Sequence, residues 1–502
     1  MNTFAQPLTR ALTTAPGACA VVCQDNRRTF AELGSRCRRL AGAMRKLGLA
    51  PGDRVGVIAL NSDRYLELYL GLPAAGYVLV PVNSRLAPAE MRAILEDAAV
   101  SVVFADAAYP GAVGVSQVLT IPDDYEDLLA AADELPFNDA VTENDLAALF
   151  YTSGTTGAAK GAMHTHRSLV SSALHFMATW PFDRQTRWLV ASPMFHTGGI
   201  LATLATVWAG GTHVIMPRFD PGLAVDLIER EAVTHTLLVP TLLAMAAGAQ
   251  LARPRDVSSL RYLSHGASPI SAETLRRTRE AFPGAELLHV YGTTETTPIT
   301  TLLPHEEHVL DTPLIRSCGR PAIGVEMRVV DDDLADLPPR AVGQIAVRSP
   351  SVMAGYWRKP EATAEVIRGS WYLTGDLGYL DEESHVFLVD RAKDMIVSGG
   401  ENIYSTEVED ALASYPGVEE VAVFGVPDPR WGESVYAVVF SRKQVTADDL
   451  IAHCRGRIAG FKVPRCVELR TEPLPKSAAG KILKRELRDP HWAGQQAQVA
   501  GG

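Results

Sequence analysis

Long uninterrupted apolar runs are missing from this chain. The longest apolar stretch, Gly71 to Val82, contains Pro73 and falls well short of the ~20 residues that a membrane-crossing helix needs. A basic excess is missing too. Lys and Arg number 47 against 58 Asp and Glu, a net charge of −11, which argues against a polyanion-binding surface and against nucleic acid as a partner. The six cysteines, Cys19, Cys23, Cys37, Cys318, Cys454 and Cys466, are scattered, and no second Cys or His pair follows Cys19 and Cys23 at zinc-ligand spacing. They read as reduced core thiols. Ahead of Cys19 stand one arginine and no continuous apolar stretch, so no secretory leader is expected and the expected compartment is the cytoplasm.

The 502 residues exceed one ordinary core; at roughly 100–200 residues per domain, two to four domains or subdomains are expected. Apolar residues at 47% and charged residues at 21% give a globular composition. Thr29 precedes Phe30, Leu33, Cys37, Leu40, Met44 and Leu47, spaced three and four apart and closed by Gly48, which predicts a helix. Pro51-Gly52-Asp53 turns into a strand at Val55–Leu60, Asn61 is placed to cap the next helix, and Val78–Val82 follows as a strand. The same rhythm recurs at Val100–Ala105, Leu146–Thr152, His213–Met216, Thr236–Val239, Tyr262–Ser264 and Leu287–Tyr291. Apolar strands separated by helical segments predict an α/β fold with parallel sheets covered by helices. After about Pro321 the sequence turns β-rich (Gly343–Arg348, Trp371–Thr374, Val386–Val389), and a smaller α/β unit closes the chain. That unit is read as helix Thr406–Ser414, strands Val421–Gly425 and Tyr436–Ser441, and helix Asp448–Ala459, with the charged stretch Asp390–Asp394 as linker.

The densest local signal runs from Tyr151 to Gly161 and holds Thr152, Ser153, Gly154, Thr155, Thr156, Gly157 and Lys160. Its glycines let backbone approach an anion, and its hydroxyls and lysine supply donors suited to a polyphosphate. It follows a predicted strand and does not match the G-x-x-x-x-G-K-[ST] loop. Further along stand Pro193–Gly199 with His196, Thr197 and Gly199, then Ser264–Pro269 with His265, Gly266, Ala267 and Ser268. His289, Val290, Tyr291, Gly292, Thr293, Thr294 and Glu295 follow. The last segments are Tyr372–Asp376, Arg391, Lys393–Asn402 with Gly399, Gly400 and Glu401, and Pro475–Lys481. Each alone has an ordinary explanation; His196 beside Phe195 reads as a core histidine, and Lys481 as one cation of a basic tail.

In this order, from about Phe30 to Arg488, the segments resemble those of the AMP-forming acyl-CoA synthetases and their adenylating relatives. The closest likeness is to fatty-acid or coumarate-type CoA ligases. The Pro that usually precedes the loop lysine is Ala159 here. The resemblance implies a large N-terminal domain (residues 1–390) of two β/α subdomains plus a distorted β-barrel. A hinge at 391–394 around Lys393 and a small mobile α+β C-terminal domain (395–502) complete it. It implies ATP, CoA and Mg2+ as reactants and cofactor. Thr152, Ser153, Gly154, Thr155, Thr156, Gly157 and Lys160 would cradle phosphates; Gly266, Ala267, Ser268, His289, Tyr291 and Gly292 would border adenine. Thr293 and Thr294 would hold phosphate, Glu295 with Thr156 would hold the metal, and Asp376 with Arg391 would hold the ribose. Catalysis is carried over to Lys481, His196, Thr294 and Glu295, and the CoA tunnel to Gly399, Gly400 and Glu401. A carboxylate is a poor acyl donor until its oxygen becomes part of AMP, which this set accomplishes before the thiol attacks.

The acid is less constrained. His196, Thr197, Gly199, His265, Val290 and Gly292 are carried over as the acyl pocket. Val290 cannot pair a second carboxylate, where malonate-using relatives carry Arg. Gly292 stands where acetate-specific relatives carry Trp, so a monocarboxylic acid larger than acetate is expected. A medium- or long-chain fatty acid comes first and a phenylpropenoic acid second. Transfer to a carrier protein, or a non-catalytic nucleotide sensor, is a competing reading; no carrier domain is expected, and the four groups His196, Glu295, Asp376 and Lys481 favour an active enzyme. Arg36, Arg38, Arg39, Arg45 and Lys46 make one helix basic, which suits a solvated face or peripheral membrane contact. A homodimer is an open expectation.

Overall fold

The computed structural model describes residues 3–107, 109, 117–152, 159–200, 202–268, 270–310, 312–391, 394–398, 401–428, 430–476 and 482–493, with backbone alone at 391 and 402. The chain forms two compact units, residues 1–327 with 347–372, and residues 328–346 with 373–502.

The first unit holds two large sheets. One has six strands in the order Val118–Ile121, Val100–Asp106, Arg54–Ile58, Val78–Pro81, Leu146–Thr152 and Lys160–Thr165. All its pairings are parallel until the last, an antiparallel hairpin in which Thr152 faces Lys160. The other has nine strands, its parallel centre running Cys19–Cys23, Thr212–Ile215, Arg187–Val190, His235–Leu237, Tyr262–Gly266 and Glu286–Tyr291. Antiparallel strands close both edges of this sheet. Helices pack their apolar faces on these sheets, which is why the central strands are apolar on both faces. Phe30–Lys46 forms as its spacing predicts, and Thr29 with Glu32 makes a reciprocal capping box.

One expectation changes in detail. Asn61 does not cap the helix Asp63–Ala74; the Ser62 side chain accepts from Tyr65 N at 3.1 Å and does so instead. The basic helix face is engaged by acids of its own unit. Arg36 pairs with Glu67 (2.6 Å) and Glu126 (2.9 Å), Arg38 with Glu134 (2.9 Å), and Lys46 approaches Asp133 at 3.5 Å. Four of the six cysteines are buried; Cys466 is exposed and Cys19 lies between. Among the described residues no helix is long and apolar enough to cross a membrane.

A smaller sheet of five strands, drawn from residues 326–391, stands where the resemblance implies a barrel; in it Asp376 faces Arg391 across an antiparallel pair. The second unit's own sheet pairs Glu420–Asp428 with Gly432–Phe440 and adds Cys466–Arg470 in parallel. The helices Ser405–Ala413 and Ala447–Arg455 cover it, burying Val408, Leu412, Val423, Val439 and Leu450. These elements run one to several residues off the sequence bounds, because strand ends are set by partners rather than by local composition.

Candidate active site

The hairpin Leu146–Thr152/Lys160–Thr165 flanks the expected phosphate loop; residues 153–158, with Ser153, Gly154, Thr155, Thr156 and Gly157, lie outside the described residues. Tyr151 is anchored by its hydroxyl to Asp97 at 2.6 Å, and Lys359 reaches the same carboxylate at 3.1 Å. The far strand is held by residues 354–357: Met163 N donates to Gly355 O at 2.9 Å and Trp357 N to Gly161 O at 2.8 Å. A side chain at Gly161 would approach the Tyr151 ring at 2.9 Å and displace it.

Tyr356 then links two elements of the site. Its ring lies 5.1 Å from the Lys160 ammonium, and its hydroxyl donates to Glu295 Oε1 at 2.9 Å. Burial and the Glu295 charge push the Tyr356 hydroxyl upward, keeping it a neutral donor. Met353 N donates to the Glu295 carbonyl at 2.7 Å, fixing the backbone that carries the carboxylate. Glu295 sits in the short turn Thr294–Thr296, ended by Thr297 in the left-handed region at φ 56°. Sequence reasoning missed Tyr356, because no local pattern distinguishes it from any other buried aromatic.

Val290 and Tyr291 are buried at the end of a central strand. A Cβ at Gly292 would lie 1.9 Å from Pro298 O, and one at Gly266 would lie 2.0 Å from Val290 O. Glycine at 292 therefore answers a backbone approach, besides any room it leaves for the acid. Ala267 adopts φ 66°, an uncommon left-handed conformation for a residue with a Cβ. His196 follows a loop pinned by buried Asn61. The Asn61 amide donates to Ser192 O (3.0 Å) and Met216 O (3.1 Å) and accepts from Met194 N (2.8 Å). Phe195 packs edge-on against His196 at 4.6 Å, and a Cβ at Gly199 would meet Pro193 O at 2.0 Å. Thr197 is buried in the short helix that follows. His265 and His289, on neighbouring strands, stack with their ring centroids 4.9 Å apart.

A magnesium ion takes oxygen ligands and leaves most of its sites to phosphates and water. The half-buried Glu295 fits that pattern, and the buried Thr293 Oγ1 has no hydrogen-bond partner among the described residues. Among those residues no cluster of three or more His, Cys, Asp or Glu forms an all-protein metal cage.

In the second unit, Asp376 is buried, with its backbone N donating to Thr374 Oγ1 at 3.1 Å; Gly375 before it has φ 74°. Glu401 is exposed and faces Ser398 across a short hairpin. The Arg391 side chain, Lys393, Gly399, Gly400 and Lys481 lie outside the described residues. The flanks of Lys481 are described: Lys476 and Ile482 form an antiparallel bridge, and Leu483 N donates to Pro475 O at 2.8 Å. Lys484 then anchors the last helix to Glu409 and Ser405 Oγ, both at 2.7 Å.

Comparison with known proteins identifies the family. Residues 8–357 match the model of the AMP-binding enzyme family, and residues 407–481 match that of the AMP-binding enzyme C-terminal domain. The chain belongs to this family of AMP-binding enzymes. It is an AMP-forming acid–thiol ligase, with ATP and CoA as substrates and Mg2+ as cofactor. It is 40% identical over 480 residues to a feruloyl-CoA synthase of Amycolatopsis sp, covering 94% of this chain and 96% of that one. It is 36% identical over 500 residues to the fatty acid–[acyl-carrier-protein] ligase ScoC of Streptomyces coeruleorubidus, covering 96% and 95%. The ATP-bound structure of MatB from Rhodopseudomonas palustris superposes with a TM-score of 0.89 at 32% identity, covering 98% of this chain and 99% of that one.

Proposed function

We propose that the acid activated by this ligase is an aryl monocarboxylic acid of the phenylpropenoic class, converted through its acyl-adenylate to the CoA thioester. The observation that carries this choice is the 40% identity to a feruloyl-CoA synthase along nearly the full length of both chains. It reverses the order of the two acid classes expected from the sequence. The buried, apolar Val290 agrees with a single carboxylate.

When bound, magnesium neutralises charge on the phosphates. Glu295 would be its oxygen ligand, and the Tyr356 hydroxyl holds that carboxylate in orientation. Lys160 supplies positive charge at the phosphate loop, and Asp376 accepts from the ribose hydroxyls. Lys481 stabilises charge developing at the carboxylate and α-phosphate during attack. The thiol step needs a different arrangement. The segment 391–394 around Lys393 serves as hinge between residues 1–390 and 395–502, withdrawing Lys481 and presenting Gly399 and Gly400 to the pantetheine arm.

Acid-dependent pyrophosphate release over a panel of ferulic, 4-hydroxycinnamic, dodecanoic and malonic acids tests the substrate class. The expected order places both cinnamic acids first and malonic acid last; a clear preference for dodecanoic acid overturns it. The likeness to ScoC favours a second reading, a fatty acid transferred to a carrier protein. Thioester formation on an acyl-carrier protein but not on CoA would establish that reading in place of the first.

A further inference from the structure

Three imidazoles meet next to the adenine loop. His265 and His289 are in register on neighbouring parallel strands, and their rings stack with centroids 4.9 Å apart and 10° between planes. His308 meets His265 nitrogen to nitrogen, Nε2 to Nε2 at 3.0 Å. Such a bond requires a proton on one nitrogen and a bare lone pair on the other. His308 Nδ1 lies 3.0 Å from Pro304 O, which only accepts, so Nδ1 carries the His308 proton. Burial lowers the His308 pKa to about 4, so the ring is neutral and its Nε2 is bare. His265 must therefore donate from Nε2. Burial and the two neighbouring imidazoles hold His265 well below the ordinary histidine range, so it too is neutral and its Nδ1 is bare. That nitrogen is buried and has no hydrogen-bond partner among the described residues.

A buried acceptor without a donor is unfavourable unless a ligand satisfies it. His265 directly precedes Gly266 and Ala267 and pairs its strand with the one carrying Val290, so it stands among the residues assigned to nucleotide and acid. The Pro304–His308–His265 relay leaves it one tautomer, and a fixed tautomer is what a site needs to distinguish donors from acceptors. We propose that His265 is a specificity residue whose Nδ1 accepts a hydrogen bond from a hydroxyl on the aryl group of the acid. The inference rests on the aryl-acid reading given above.

The test compares kcat/KM for cinnamic acid with that for its 2-, 3- and 4-hydroxy derivatives, at saturating ATP and CoA. At least one hydroxylated isomer is expected to be preferred by ~10-fold or more, because a site built for a donor rejects the analogue lacking it. His265→Gln sets an amide nitrogen near the Nε2 position, able to donate to His308, and removes the Nδ1 acceptor. The preference should then fall to within ~3-fold. His265→Asn, with a carbonyl oxygen able to reach the Nδ1 position, should retain part of it. A wild-type ratio near one, or a preference unchanged in His265→Gln, overturns the proposal. So does a ratio near one accompanied by a raised KM for ATP in His265→Gln, which would make the adenine amino group the donor. If His265→Gln does not fold, 15N-histidine-labelled wild-type enzyme decides: the His265 Nδ1 resonance should move with the preferred hydroxy acid and not with cinnamic acid, and no difference overturns the proposal. Turnover of dodecanoic acid with none of any cinnamic acid would defeat the aryl reading itself, a distinct outcome.

Discussion

The Tyr356 hydroxyl donates to Glu295 Oε1 at 2.9 Å while the same ring faces the Lys160 ammonium at 5.1 Å. One side chain thus orients the carboxylate proposed to hold magnesium and steadies Lys160 at the end of its hairpin. Tyr356→Phe keeps the ring and removes the hydrogen bond. A bond to a charged acceptor contributes about 1.5–3 kcal/mol, so acyl-adenylate formation should fall ~10- to 100-fold. Lys160 should remain in place and the magnesium requirement should rise. Pyrophosphate release across a magnesium titration checks this; an unaltered magnesium dependence removes Tyr356 from the metal's support.

Asn61 makes three buried bonds to the segments around His196. Asn61→Ala would strand one N–H and two carbonyls, at about 1–3 kcal/mol for each group left unsatisfied. A loss of several kcal/mol of stability in urea unfolding is expected, with weakened adenylation. Asn61→Asp keeps the acceptor for Met194 N but buries a carboxylate against the Ser192 and Met216 carbonyls, so at neutral pH it should cost at least as much as Asn61→Ala. Equal, near-zero effects in both variants would show that the loop holds itself.

These two residues also mark the limits of the sequence. Asn61 was legible as polar and next to a helix start, but Ser62, one position later, has the geometry to cap; the choice depends on contacts with Ser192 and Met216. Tyr356 belongs to the site only because residues 354–357 pair with the strand Lys160–Thr165. By contrast, the helix Phe30–Lys46 and the strand Leu146–Thr152 were readable because spacing and capping are local. The helix Ala5–Thr14 and the strand Cys19–Cys23 were not, since the strand exists through its pairing with Thr212–Ile215.

Lys481→Ala should abolish acyl-adenylate formation while largely sparing thioester formation from supplied acyl-adenylate. Lys393→Pro should do the reverse. The two half-reactions are measured separately, as pyrophosphate exchange and as CoA thioester appearance. Equal loss of both in Lys481→Ala would contradict its assignment to one step.

Stability should fall in mild acid. Burial lowers His166, His213, His235, His289 and His308 to about 4 and His164 to about 3, against 6.5 when exposed. The unfolded chain binds protons at these sites first, so stability drops as pH falls from about 6.5 toward 4, by up to ~1.4 kcal/mol per pH unit per site. Glu409, raised to about 6 by burial, acts oppositely, favouring the fold below its unfolded value and losing that contribution as pH rises through about 6. The histidines outnumber it. Urea midpoints at pH 7.5, 6.5, 5.5 and 4.5 should decline steeply over the last three; a flat profile contradicts the neutral buried state.

The most direct measurement is exchange of labelled pyrophosphate into ATP, without CoA, in the presence of ferulic acid. Exchange that depends on the acid and on magnesium, followed on adding CoA by stoichiometric thioester and AMP, is the predicted result. No exchange with any acid of the panel, or thioester formed with ADP and phosphate in place of AMP, would contradict adenylation by this site.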